Sequence, residues 1–293
     1  MKKKLSYAAI TVTVAALALT ACSSPTDADT SKGSASSGFG DCKVTGKPGS
    51  IKLRTQKPDT LTVSTVLPNP GWWNGMSPES VKSGFEYCLA ADIAHRAGLK
   101  SVRLKNLAWD QYISGTATGY DIGMASTTIT DERKKVFDFS RQYFSSNLGV
   151  ATKKDSKITA DDIRDAKIGV LQGNIGAQWV ADVLKPTRAA ATFQSQADMF
   201  TALNAGQVDA VVTDTTLALT SVKASAGALT VRGQFALNQG YGIVMPLHSK
   251  NTTAVDKAVG QMASDGTLKA LAAEFLEPTF GVNPNSVPVW SLK

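Results

Sequence analysis

The run Gly123-Met124-Ala125-Ser126-Thr127-Thr128-Ile129-Thr130-Asp131-Glu132-Arg133 sets an arginine one helical turn beyond a cluster of hydroxyls and an acidic turn. Small side chains with free backbone N–H groups at a helix start suit an anion. An arginine fork beside them can take a carboxylate through two parallel hydrogen bonds. The plainer reading is a capped surface helix with a solvated arginine. A second charged residue stands where chemistry gathers: Val208–Asp214 reads as a strand with Asp214 at its C-terminal end, the end at which open α/β sheets bind ligands. Its plainer role is an N-cap for the helix beginning Thr215-Thr216-Leu217. Catalytic residue types are scarce. The two histidines, His95 beside Ile93 and His248 in a Pro-Leu-His-Ser-Lys loop, read as structural or solvated. No Ser-His-Asp order, Cys-His pair, metal-ligand spacing or glycine-rich phosphate loop is present. The chain therefore reads as a binder, without catalytic residues, metal or cofactor.

From about Ile51 onward, strand and helix signals alternate, as in an α/β fold. Leu61–Val66 reads as a first strand. Phe85, Leu89 and Ile93 recur at helical spacing, with Gly98 as the C-cap. Val102 and Leu104 alternate in the next strand, and Tyr120–Ala125 leads into the hydroxyl cluster. In the second half Thr159 and Asp162 form a capping-box pattern before Ile163. The strand Lys167–Leu171 runs into Gln172-Gly173-Asn174-Ile175-Gly176 and a helix, while Ser195 and Gly206 bracket a helix carrying Met199, Phe200 and Leu203.

The N-terminus reads as an export signal: Lys2-Lys3-Lys4, an apolar stretch from Tyr7 to Leu19, then small residues. That stretch falls short of the roughly 20 residues a membrane span needs. Leu19-Thr20-Ala21-Cys22 resembles a bacterial lipoprotein signal, which implies cleavage after residue 21, lipidation (palmitate among the acyl chains) of Cys22 and a protein anchored to the outer face of the cell membrane. Residues 22–50 are rich in Ser, Thr, Gly, Asp and Pro and read as a flexible tether. The net charge of +7 is 31 Lys and Arg minus 24 Asp and Glu, and falls to +4 without the three signal lysines. Basic residues are scattered rather than clustered with aromatics, which gives no nucleic-acid surface. Cys42 and Cys88 remain; in an oxidising compartment they pair, and the bridge contributes about 4 kcal/mol in the chain-entropy model. The alternative leaves Cys42 free and Cys88 as a small buried apolar residue.

The stretch 123–140, with the body around it, resembles the amino-acid-binding extracellular solute-binding proteins (family 3) that feed ABC importers. The resemblance implies a two-lobed periplasmic-binding-protein-like fold, two α/β lobes joined by two hinge crossings. Matching motifs put the crossings near Tyr143–Gly149 and Leu237–Gly242. Lobe one becomes residues 51–142 with 241–293, and lobe two 147–238. Asp265-Gly266-Thr267-Leu268 and a helix to Phe275 match the family's usual ending. The stretch from Pro278 to Lys293 is an extra tail without a functional reading. A monomer capturing a free amino acid and handing it to a permease and its ATPase subunit is the implied activity.

The resemblance also implies roles. Arg133 holds the α-carboxylate, helped by Thr128 and by backbone N–H groups around Asn174 and Ile175, where this chain replaces the family's Gly-Thr-Thr type loop. Asp214 takes the ammonium, with the carbonyl of Ser126. Trp109 matches a family aromatic that stacks on the ligand. Asn69, Trp72 and Trp73 lie in the loop that usually supplies the opposite wall; the alternative for Trp72 and Trp73 is that they pack the lobe or face solvent. Binders of basic amino acids and of glutamine often carry an acid early in that loop; here Val66 occupies the place, with Glu86 and Asp110 as nearby acids, while Asp121 reads as a turn cap. Two other activities fit the same fold, a ligand-sensing module of a membrane receptor and a dehydratase-type enzyme.

Overall fold

The computed structural model describes residues 38–237 and 240–292. The signal segment and the lipidation residue Cys22 lie outside them, as do Asn238 and Gln239 at the second expected crossing.

The chain enters through β1 (Thr60–Thr65), almost wholly buried, as suits a strand covered on both faces. Helix α1 (Phe85–Arg96) follows and ends against Gly98, whose φ of 75° is the left-handed conformation glycine adopts without penalty. Strand β2 (Ser101–Asn106), the short helix α2 (Trp109–Ile113), β3 (Ile122–Gly123) and β4 (Phe137–Ser145) complete the first pass. Ser146 and Asn147 then carry the chain to β5 (Leu148–Lys153), and β6 (Ile168–Leu171), α3 (Ile175–Trp179) and β7 (Ala191–Phe193) follow. Helix α4 (Gln196–Ala205) is capped as its sequence indicates: Ser195 Oγ accepts the Asp198 N–H at 3.1 Å, and Gly206 closes it with φ 76°. Next come β8 (Ala210–Asp214), α5 (Thr215–Ala224) and β9 (Leu229–Phe235), and the chain returns to β10 (Gly240–Pro246), α6 (Thr252–Ser264) and α7 (Thr267–Leu271) before a last strand, β11 (Val289–Trp290).

These strands form two sheets. One has the order β2-β1-β3-β10-β4, the other β11-β9-β5-β8-β6-β7. In the first, β1 runs parallel to β2 and β3, and β10 lies antiparallel between β3 and β4. In the second, β6 is parallel to β7 and β8, and β5 is antiparallel to β8 and β9. Each sheet has its own apolar core, one around Leu61, Trp72, Phe85, Leu89 and Ile243, the other around Leu148, Val150, Ile168 and Val212. The chain passes between the sheets at 146–147, after β4, and returns from β9, which ends at Phe235, to β10, which starts at Gly240. Asn147 joins the two passages: its Nδ2 donates to Gln234 Oε1 at 3.1 Å, and its Oδ1 accepts the Leu237 N–H at 3.2 Å.

Two segments differ from their sequence reading. The tether read through residue 50 gives way to packed chain earlier: Phe39 is buried, Gly38 pairs with Ser101, and Thr45 Oγ1 donates to Asp92 Oδ2 at 2.8 Å. One aromatic and one cysteine anchor a stretch whose average composition looks unfolded. The tail, expected to stay with the first lobe, instead adds β11 beside β9 in the second sheet. Trp290 covers Gly233, where even a Cβ would meet the indole at 2.2 Å, and Gln234 Nε2 donates to the carbonyls of Pro284 and Val287 at 3.0 and 2.9 Å.

Cys42 and Cys88 are joined in a disulfide across 46 positions, Cα atoms 5.3 Å apart, stitching the entry segment to α1. Replacing both by serine is expected to lower unfolding free energy by about 4 kcal/mol. Urea denaturation of the double variant beside the oxidised parent checks it; equal midpoints would show that the bridge does not constrain the unfolded chain.

Candidate functional site

The loops at the C-terminal ends of β1, β3, β6 and β8 converge between the sheets. Ser126, just past β3, is a non-glycine residue at φ 51°. Its N–H donates to Glu86 Oε1 at 2.7 Å, and that carboxylate also accepts Trp73 Nε1 at 2.5 Å and the Tyr143 hydroxyl. Three donors on one fully buried carboxylate hold the Ser126 loop against α1. Burial pushes Glu86 up to about 7, and the three hydrogen bonds oppose that rise. The buried Ser126 hydroxyl has no hydrogen-bond partner among the described residues.

Arg133 lies on a single 3-10 turn rather than a helix of the length its spacing suggests, and its side chain is buried. Nη1 donates to the Thr128 carbonyl at 2.8 Å and Nη2 to the Gly173 carbonyl at 3.0 Å, across the gap between the sheets. The guanidinium carbon sits 5.8 Å from the Trp109 ring centroid, a cation–π distance. Trp109 crosses the same gap, its Nε1 donating to the Gln172 carbonyl at 2.7 Å. Burial lowers the Arg133 pKa from its ordinary value, and the facing charge of Asp214 counters this.

Asp214 ends β8 and is fully buried. It makes no side-chain cap to α5. Instead Oδ2 accepts Asn174 Nδ2 at 2.9 Å and Oδ1 accepts the Tyr241 hydroxyl at 2.9 Å. Burial raises its pKa, opposed by those two bonds and by Arg133. Asn174 divides its amide: Oδ1 caps α3 through the Gly176 N–H at 2.8 Å while Nδ2 serves Asp214. Its own N–H is engaged with the Leu171 carbonyl, so the main chain there is less open to an anion than its sequence suggests.

Of the residues singled out from sequence, Ser126, Thr128, Trp109 and Arg133 gather on the first lobe, and Asn174 and Asp214 face them from the second. Asn69 lines the cavity between the lobes. Ile175 packs into the second core. Trp72 and Trp73 take the packing alternative rather than the wall: both are fully buried, Trp72 among Phe85, Phe144 and Tyr241, Trp73 on Glu86. Two bulky indoles fill the first-lobe core rather than face a polar gap. Asp121, read as a turn cap, accepts the Gln56 and Thr62 N–H groups at 2.9 and 2.8 Å. Sequence reading missed Tyr241 and the supporting role of Glu86. Tyr241 reaches Asp214 only because β10 is inserted between β3 and β4, and no local pattern marks that. Among the described residues no cluster of His, Cys, Asp and Glu could hold a metal ion, and no helix is long and apolar enough to cross a membrane.

The profile of the bacterial extracellular solute-binding proteins, family 3, matches residues 73–278. The L-cystine-binding protein TcyJ of Escherichia coli (strain K12) is 30% identical over 198 residues, 66% of this chain and 74% of that protein. A glutamine-binding protein of Geobacillus stearothermophilus is 32% identical over 183 residues, 60% of this chain and 68% of that one. Among solved structures, an ancestral arginine-binding protein bound to arginine superposes with a TM-score of 0.65 at 31% identity, covering 74% of this chain and 98% of the other.

The raised Glu86 pKa has a measurable consequence. Between the ordinary 4.5 and about 7, the folded protein keeps a proton that the unfolded chain has released. Stability therefore falls as pH rises through that window and levels off above it, by on the order of 3 kcal/mol in all. Urea midpoints of parent and Glu86→Gln at pH 4.5, 6 and 7.5 should diverge in this sense, the variant lacking the decline; parallel profiles would mean that Glu86 titrates normally.

Proposed function

The chain belongs to the bacterial extracellular solute-binding proteins of family 3, and on that premise we propose that it captures a free amino acid between its lobes and delivers it to the permease of an ABC importer. The observation that carries this reading is a pair of buried opposite charges, Arg133 and Asp214, on facing lobes, each bonded to neutral partners rather than to the other. Buried charges lacking a partner cost several kcal/mol each. A zwitterion offers both a countercharge at once: its carboxylate to Arg133, beside Thr128, and its ammonium to Asp214, beside the Ser126 carbonyl. Trp109 and Asn69 then border the side chain. The relatives named for L-cystine, glutamine and arginine support an amino acid as cargo.

Closure turns on the two crossings, at 146–147 and between β9 and β10. Ligand drives it only if it binds the closed arrangement better than the open one, which is what bridging two lobes accomplishes. The closed form docks on the permease, and a separate ATPase subunit powers release. The protein works as a monomer, without catalysis of its own. Residues 1–21 direct export, and lipid on Cys22 keeps the body at the extracytoplasmic side of the cell membrane through the tether that follows. The amide of Asn147, spanning both passages, sets how the lobes swing.

Arg133→Ala is expected to cost about 2–5 kcal/mol of binding, because the ligand carboxylate is left buried and unanswered. Calorimetry with the cognate amino acid, alongside far-UV circular dichroism to verify folding, checks this. Undiminished affinity in a folded variant would remove Arg133 from the carboxylate site. Asp214→Asn, which keeps the shape but loses the charge, should weaken binding of the amino acid while leaving its des-amino analogue unaffected.

A further inference from the structure

Beyond the two charged residues, the gap between the lobes widens into a cavity of about 740 Å³, and its lining contains no Asp, Glu, Lys, Arg or His. Ser126, Trp109 and Asn174 belong to this lining. Asn174 also bonds Asp214, and Trp109 lies under Arg133, so the cavity continues outward from the place where the charged ends of an amino acid would sit. Leu67, Pro68 and Leu107 form one wall and Leu171, Phe200 and Leu217 the facing one. Much of the polar remainder is already committed. Gln196 Nε2 donates to Ser221 Oγ at 2.9 Å, Thr220 Oγ1 to the Thr216 carbonyl at 3.0 Å, and Asn106 Oδ1 accepts the Leu67 N–H at 2.9 Å.

The acids that could have answered a cationic side chain are directed elsewhere. Glu86 is saturated by Trp73, Ser126 and Tyr143 within the first lobe. Asp110 is exposed and absent from the lining. Val66, in the lining, adds only aliphatic surface. A charged side chain entering here would leave water without acquiring a countercharge, whereas an apolar one would bury surface against both walls. Volume argues in the same direction. Sites of roughly 300–1,000 Å³ enclose ligands of drug size, so a methyl or hydroxymethyl side chain would leave most of this space unfilled.

Resting on the amino-acid reading above, we propose that the cargo is an amino acid with a bulky, uncharged and mainly apolar side chain, aromatic or long aliphatic and thioether types included. The side-chain cavity, through Leu67, Leu107, Phe200 and Leu217, selects against both charged and small amino acids.

The test is calorimetry on the full-length protein with phenylalanine, methionine, leucine, alanine, serine, glutamate, lysine and arginine, together with phenethylamine and 3-phenylpropionate. At least one of the bulky uncharged amino acids should bind 100-fold or more tightly than lysine, arginine, glutamate, alanine and serine. Gln111→Glu, which sets a carboxylate in the cavity wall, should then raise affinity for lysine and arginine at least 5-fold. Charged or small amino acids binding as well as the bulky ones would overturn the proposal and leave amino-acid capture intact. Phenethylamine or 3-phenylpropionate matching phenylalanine would instead overturn the assigned carboxylate and ammonium contacts while upholding the side-chain selection. Binding by no compound in the panel would overturn both, and no gain in Gln111→Glu would overturn the claim that missing countercharge excludes cations.

Discussion

Opposite charges buried on separate bodies, and kept from pairing with each other, are the constraint around which this protein is arranged. Arg133 donates once from Nη1 and once from Nη2 to main-chain carbonyls, one in each lobe, and Asp214 accepts from an amide and a phenol. A direct ion pair between them would be self-satisfied and have little need of a third party. Holding them apart keeps each charge stabilised enough to fold, yet still facing the other's field, which is the condition in which a zwitterion has most to offer. The two lobes carry these charges separately, Arg133 on the turn between β3 and β4 and Asp214 at the C-terminal end of β8.

Rigidity on each side comes from the layer behind the charged residues. On the first lobe the Ser126 loop is held in a left-handed turn by Glu86, and Glu86 by Trp73 and Tyr143. On the second, Asn174 caps a helix with one end of its amide and steadies Asp214 with the other. Tyr241 connects the two sides: it belongs to a strand of the first sheet and donates to the acid of the second. The tail contributes on the second lobe, where Gln234 ties Pro284 and Val287 to Asn147 at the crossing. A segment without a motif of its own thereby acquires a structural task.

Local pattern decided a good deal. Alternating strands and helices, the caps at Ser195 and Gly206, and the C-cap glycine after α1 follow from steric and hydrogen-bonding preferences spanning a few residues, and they appear where the pattern puts them. The run from Ser126 to Arg133 is contiguous, so its hydroxyls and its arginine could be connected by eye. The pairing of Cys42 with Cys88 followed from there being two cysteines left to pair. Asp214 was visible as an acid at a strand end, but whether it capped a helix or faced the gap depended on Asn174 and Tyr241, distant in the chain.

What sequence alone determined, then, is the alternation of elements, the family, and the candidate charges, because each is written in neighbouring residues or in a short list of reactive types. Tertiary structure decided the direction in which side chains point. Trp72 and Trp73 are chemically suited to a binding wall, yet two fully buried indoles do more for the first-lobe core. Glu86 could have met a cationic ligand, yet three donors from elsewhere in the chain turn it inward. The uncharged lining of the large cavity is likewise assembled from loops of both lobes. Each of these outcomes rests on contacts between residues far apart in the chain, and burial and hydrogen bonding there are settled only when the sheets pack.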